Sequence, residues 1–259
     1  MIYRLLGPLE VARTTDPGSG DDLVDLGPRK QRAVLAVLLL NRGRVVSTDR
    51  LIDALWSGDA PASAVSSIQA YISNLRRLLR AASGAASPIV RQPPGYVLDT
   101  ACDDVDLAVF LDAADTARRH ADDGSWDLAL DVAGRSLATV RGPLLEDLCD
   151  EPWVQVASVG FEEVRTECRE TLITALLALG RLAPALVEAS RLYDEFPFRD
   201  RTCWLRMLTL HRAGRSPEAL DQFAVHVHRL DAELGLRPGV ELVELQGAIL
   251  RHEPGLAAW

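Results

Sequence analysis

Residues 61–80 read PASAVSSIQAYISNLRRLLR. Val65, Ile68, Ile72, Leu75 and Leu79 recur at spacings of three, four, three and four, which predicts a helix running from near Pro61 to about Arg80, held by one apolar stripe. Pro61 suits a first helical turn, where its missing N–H costs nothing. Ser63, Ser66, Ser67, Ala70, Ser73, Asn74 and Arg77 then fall on the outer face or its flanks, with Tyr71 and Arg76 beside the stripe. No Asp or Glu occurs from Ala60 through Arg80. Close approach to base edges in a major groove requires such a small, polar, acid-free face: Asn pairs with adenine, Arg with guanine, and Ala or Ser abuts a thymine methyl. A solvated amphipathic helix with a basic end has the same features, and the segment alone does not separate the two.

The flanks supply context. Upstream, Ile2 to Leu6, Leu9 to Ala12 and Leu23 to Leu26 are short apolar segments separated by Gly7-Pro8 and a polar loop from Arg13 to Asp22, the pattern of an antiparallel meander. Pro28 opens a helical run with apolar Ala33, Val34, Val37, Leu38 and Leu40. Val45-Val46 reads as a brief strand, and Ser47 is placed to N-cap a helix from Thr48 to Leu55 with Asp49 in its first turn. Downstream, Ile89 to Arg91 and Tyr96 to Leu98 flank Pro93-Pro94-Gly95, which predicts a two-stranded ribbon closed by a type II turn. A meander, three helices and a ribbon carrying Arg91 is the order of parts of a winged helix-turn-helix domain. In that geometry Arg91 and Gln92 reach the adjoining minor groove or its phosphates, and Arg29 and Lys30, at the start of the first helix, meet backbone phosphate.

From Asp103 on, helical signals dominate. Helices are expected near Val105 to His120, Trp126 to Val140, Pro152 to Leu179, Leu182 to Glu195, Asp200 to Ala213, Pro217 to Leu234 and Val240 to Arg251. Gly180-Arg-Leu-Ala-Pro-Ala-Leu186 and Gly214-Arg-Ser-Pro-Glu-Ala-Leu220 are offset by 34 residues, the period of tetratricopeptide helix hairpins. Each Gly ends one helix, and Ala185 and Ala219 are small enough for the next to pack closely. Such hairpins present a surface and carry no inherent chemistry. The fold expected is mostly α: a winged helix over 1–99, followed by an all-α tetratricopeptide-like domain over 100–259.

Charge divides the chain at the same place. Through Leu98 there are 12 Lys+Arg against 8 Asp+Glu, and from Asp99 onward 16 against 29. A basic first part keeps nucleic acid open as a partner although the whole chain is acidic. The longest aliphatic run, Ala33 to Leu40, is far short of the ~20 residues that span a bilayer, and residues 1–10 lack the pattern of a signal peptide, so a cytoplasmic location is expected. Cys102, Cys149, Cys168 and Cys203 have no CxxC spacing and read as reduced, mostly buried thiols.

Catalytic patterns are missing. There is no GxxxxGK[ST], and the single lysine, Lys30, argues against a phosphoacceptor receiver domain, which needs a lysine beyond its acidic cluster. His226 and His228, two apart on a helix, diverge by about 200° and read as flank or surface residues. Asp103-Asp104, Asp122-Asp123 and Glu162-Glu163 read as helix-start or solvated pairs, and Gly18-Ser19-Gly20 as a flexible loop. Trp126, Trp153 and Trp204 read as core packing. No enzyme activity, cofactor or metal is expected. A helical-repeat interaction module, in which the winged helix reads no DNA, remains the alternative in kind.

The stretch LGPRKQRAVLAVLLLNRGRVVSTDRLIDALWSGDAPASAVSSIQAYISNLRRLLR, followed by IVRQPPGYVL, resembles the OmpR/PhoB-type winged helix as it occurs in the SARP family of actinobacterial antibiotic regulatory activators. The Val105-Asp106-Leu107 start, the GRLAPAL and GRSPEAL turns and the ending LDAELGLRPGVELVELQGAIL are similar to that family's bacterial transcriptional activator domain. The resemblance implies an activator that binds direct repeats at a promoter as two protomers, recruits RNA polymerase through contacts that include the sigma subunit, and serves a secondary-metabolite gene cluster. It also implies that Ser67, Ala70, Tyr71, Ser73, Asn74 and Arg77 of the recognition helix face DNA, with Arg91 and Gln92 in the wing; Ser66 and Arg76, beside them on the helix, complete the expected contact set. Ser73 and Asn74 stand where such helices often carry Arg, which implies weaker direct readout there and more reliance on Arg76, Arg77 and DNA shape.

Overall fold

A computed structural model describes residues 1–13, 22–56, 58–101 and 104–253. Gly18-Ser19-Gly20, most of the loop from Arg13 to Asp22, Cys102 and Asp103 lie outside the described residues. The chain forms two compact units, one of residues 1–112 with 138–162, the other of 113–137 with 163–259.

In the first unit, β1 (Ile2–Arg4) and β2 (Glu10–Ala12) pair antiparallel with Tyr3 opposite Val11. The third strand of the expected meander shrinks to one bridge, Leu23 to Ala12. Helix α1 (Arg29–Leu40) is buried continuously from Ala33 through Leu39, which explains why its sequence reads as an apolar run. After β3 (Val46–Ser47), the Ser47 hydroxyl accepts the Arg50 N–H at 3.1 Å and caps α2 (Thr48–Trp56), as its sequence position predicts. Helix α3 spans Ala64–Ser83 and ends at Gly84 in the left-handed conformation. β4 (Ile89–Gln92) and β5 (Gly95–Leu98) form the ribbon, and β5 also pairs with β3, giving the order β3-β5-β4.

The ribbon's turn differs from the expectation. The Pro93–Pro94 peptide bond is cis, and Gly95 does not have positive φ. Glycine is needed at 95 for space: a Cβ there would lie 1.8 Å from the Val46 carbonyl oxygen of the paired strand.

The β1–β2 connection is completed from beyond residue 99. Leu5, Leu6 and Leu9 are buried, and their N–H groups have no ladder partner across the hairpin. Asp106, at the start of α4 (Asp106–Asp122), accepts from Leu5 N at 2.7 Å and Leu6 N at 3.1 Å. Asp147, in a single 3-10 turn (Glu146–Leu148), accepts from Leu9 N at 2.6 Å and from Arg32 Nε at 2.8 Å. The facing carbonyls are used as well: Arg141 N donates to Leu6 O at 2.9 Å and Leu145 N to Leu5 O at 2.8 Å. Burial pushes the Asp106 carboxyl above its ordinary range, against the pull of the N–H donors.

The second unit is helical. It holds the second half of α4, then α5 (Trp126–Leu137), the second half of α6 (Pro152–Ala178), α7 (Leu182–Glu195), α8 (Asp200–Arg212), α9 (Ser216–Leu234) and α10 (Val240–Leu250). The two matched turns are built alike. Gly180 and Gly214 take φ of 70° and 75°, and the next N–H closes back on the carbonyl five residues earlier, Arg181 to Leu176 and Arg215 to Leu210. Ala185 and Ala219 are fully buried. Gly124, with φ 74°, Ser125 N bonded to His120 O and buried Ala129, is a third copy that the 34-residue period does not reveal.

Two expectations, on His226 and on Trp126 and Trp153, need correction here. His226 is fully buried; its Nε2 lies 2.7 Å from Asp200 Oδ1, and Asp200 Oδ2 accepts Gly239 N, so one carboxylate ties α8 to α9 and to the start of α10. The described cysteines are free and mostly buried, as expected: Cys168 and Cys203 are buried, with burial pushing Cys203 up to about 12, and Cys149 is exposed. Trp204 is half-buried and packs against the hydrophobic core, as expected, whereas Trp126 and Trp153 are half-buried, with Trp153 Nε1 donating to Ala54 O at 3.2 Å. Among the described residues, no cluster of acids, His and Cys suits a metal, and no helix is long and apolar enough to cross a membrane.

Asp106→Ala orphans two buried N–H groups and is expected to lower unfolding stability by about 2–4 kcal/mol in urea titration. A loss below about 0.5 kcal/mol, the size of a typical surface substitution, would show that the 5–6 backbone finds other acceptors.

Candidate nucleic-acid interface

α3 is seated by Ala64, Ile68, Ile72, Leu75 and Leu79, all buried. Val65, expected in that stripe, is instead 49% exposed, because Ala64 takes the inward position one residue earlier. Both residues are a plausible helical interval from Ile68, so spacing alone does not decide between them.

The outward surface consists of Val65, Ser66, Gln69, Ala70, Ser73, Arg77 and Arg80, with Ala81 and Ser83 exposed at the helix's end. Ser67, Tyr71, Asn74 and Arg76 sit half-buried on its flanks. No acidic residue occurs on the helix. Ser66 turns its hydroxyl back to Ser63 O at 2.8 Å, leaving a low profile on the helix's first turn.

The longer polar side chains are largely engaged. Asn74 Nδ2 donates to Oε1 of buried Gln31 at 2.8 Å, and its Oδ1 accepts from Arg77 Nη2 at 2.6 Å. Gln31 passes the chain on, donating to Leu26 O at 2.7 Å. Asn74 thus braces α3 against α1, and its amide is committed to that role in this structure. Arg76 Nε donates to Ile89 O at 2.9 Å, which ties α3 to the ribbon. Arg91 Nη1 donates to Tyr96 Oη at 2.9 Å, and its guanidinium lies 5.0 Å from that ring's centroid. Tyr96 therefore orients an exposed wing arginine, and Gln92 beside it is exposed.

The start of α1 is more occupied than its sequence suggests. Arg29 pairs with Asp150 and with Glu151 (3.2 Å) and donates to Asp147 O at 3.0 Å. The Arg29 guanidinium holds the Asp150 carboxyl below the usual range. Lys30 Nζ rests 4.3 Å from the Trp56 ring centroid, a cation–π contact. Sequence reasoning omitted Gln69 and Val65 from the outward face; exposure adds both.

Asn74→Ala is expected to cost about 1–3 kcal/mol in stability, since it strands the buried Gln31 Oε1. Parallel urea titration of Asn74→Ala and Ser73→Ala checks this: equal midpoints would mean that the Asn74–Gln31 bond contributes nothing.

Comparison with known proteins bears on this surface. The family model "Transcriptional regulatory protein, C terminal" matches residues 22–98, and "Bacterial transcriptional activator domain" matches residues 105–250. The regulatory protein DnrI of Streptomyces peucetius is 35% identical over 262 residues, covering 99% of this chain and 94% of that protein. The transcriptional regulatory protein EmbR of Mycobacterium tuberculosis is 34% identical over 97% of this chain, which spans 64% of EmbR. A solved structure of M. tuberculosis EmbR in complex with a low-affinity phosphopeptide superposes with a TM-score of 0.91 at 32% identity, over 98% of this chain and 65% of that one. With the winged helix, the acid-free α3 and the helical hairpins in the same order, the chain belongs to the SARP family of transcriptional activators.

Proposed function

We propose that this chain is a sequence-specific activator that binds promoter DNA with α3 in the major groove and Arg91 and Gln92 of the ribbon at the adjoining minor groove or its phosphates. The observation that carries this reading is the exposed face of α3, small in profile and free of carboxylates over 20 residues. Reading and activation divide near residue 99: the basic first part meets DNA, and residues 100–259 contact RNA polymerase, including its sigma subunit, and a second protomer. Two protomers on tandem direct repeats suit head-to-tail reading by a winged helix, and a secondary-metabolite cluster is the proposed target, in keeping with relatives such as DnrI.

Selection from random duplex DNA at two salt concentrations tests the reading. A tandemly repeated motif supports it, whereas folded protein that recovers nothing selective favours the helical-repeat interaction module. Arg91→Ala is expected to lower affinity for all duplexes and to reduce the slope of log K against log salt by about one, with an unchanged urea midpoint. Arg29 reaches phosphate only by leaving its carboxylates, so Asp150→Asn with Glu151→Gln is expected to raise nonspecific affinity in low-salt titration. No gain would remove Arg29 from the contact set.

A further inference from the structure

Gln69 is exposed and makes no side-chain hydrogen bond among the described residues. Of the residues of α3 that can recognise a base by two hydrogen bonds, the other that makes none among the described residues is Arg80, near the helix's C-terminal end. Asn74 is held by Gln31 and Arg77, Arg76 by the Ile89 carbonyl, and Arg77 by Asn74. The N-terminal part of a recognition helix is the part that meets base edges, and in α3 that part holds Gln69. Its neighbours Ser66, Ala70 and Ser73 are small, so nothing on the face keeps the amide from the groove floor. Val65, one turn earlier on the same stripe, exposes half its surface on a face that is otherwise polar or minimal.

A glutamine amide matches the major-groove edge of adenine in both directions: Nε2–H donates to N7, and Oε1 accepts from the N6 amino group. The branched methyls of valine match the 5-methyl of thymine. Residues four apart on a helix are separated by about 6 Å along its axis, and base pairs by about 3.4 Å, so the two side chains address positions within about two steps. We propose that Gln69 and Val65 are specificity-determining residues, and that each half-site contains an adenine read by Gln69 with a thymine methyl seated on Val65 one or two base pairs away. This rests on the DNA-binding reading given above.

The test alters single atoms of the DNA. With the full chain and its selected duplex, 7-deazaadenine replaces each adenine in turn, removing N7, and uracil replaces each thymine, removing the methyl. One 7-deazaadenine substitution is expected to weaken the wild-type protein by about 5- to 100-fold. Gln69→Ala should show a similar weakening on the natural duplex and be indifferent to that substitution. Uracil at one thymine within two steps should cost about fourfold, a loss absent in Val65→Ala. Both side chains are exposed, so the variants are expected to keep the wild-type urea midpoint, and a duplex of unrelated sequence should bind all three proteins equally. The assignment is overturned if the wild type selects a motif while no adenine is sensitive to loss of N7, or if Gln69→Ala keeps both the base preference and the sensitivity. A wild type that selects no motif sinks the activator reading itself, and this assignment with it.

Discussion

The first unit depends on two carboxylates that serve as backbone acceptors. A winged helix of this type begins with a hairpin whose connection, Leu5 to Leu9, is buried, and buried N–H groups must find partners. The hairpin supplies none for Leu5, Leu6 or Leu9, so Asp106 and Asp147 do, from positions about 100 and 138 residues away. Arg32 then neutralises Asp147 while donating to Leu9 O, which links the hairpin to α1. Burial of the Asp106 carboxylate carries a cost that its backbone donors offset. The seat of α1, against which α3 is braced through Gln31 and Asn74, rests on that closure.

α3 shows how a helix divides its residues between holding and presenting. Its apolar stripe fixes depth, Asn74 fixes rotation against α1, and Arg76 fixes the ribbon beside it. What remains outward is small, apart from Val65, Gln69 and the basic end. A rigidly supported base reader needs this division, because side chains engaged in the scaffold set the geometry in which the uncommitted ones act.

Much of this was legible in the chain. The helices of the second unit fall within a few residues of the sequence assignments, and the stops of α4, α6, α8 and α9 are left-handed glycines. The Ser47 cap and the ribbon around Pro93-Pro94-Gly95 were readable for the same local reason. The failures are tertiary. Ala64 and Val65 are both acceptable partners for Ile68 in periodicity, and only packing against the domain chose the smaller. Gly95 was assigned to turn geometry, but it answers to a carbonyl in a strand almost fifty residues earlier. Asn74 reads as an exposed amide because its partner, Gln31, lies on another helix in what looks like a solvated first turn. The third glycine turn, at Gly124, escaped because the long α6 breaks the 34-residue spacing.

Lys30 is the only lysine among 259 residues, and it lies over the Trp56 indole at the start of α1. Among the side chains of these 259 residues there is therefore one primary amine, next to Arg29 and its carboxylates. Among side chains, amine-directed reagents, whether fluorophores or cross-linkers, find their one target in this corner of the winged helix. A dye on Lys30 would sit beside an indole that quenches by contact, which makes this side chain an optical reporter for events at the first helix.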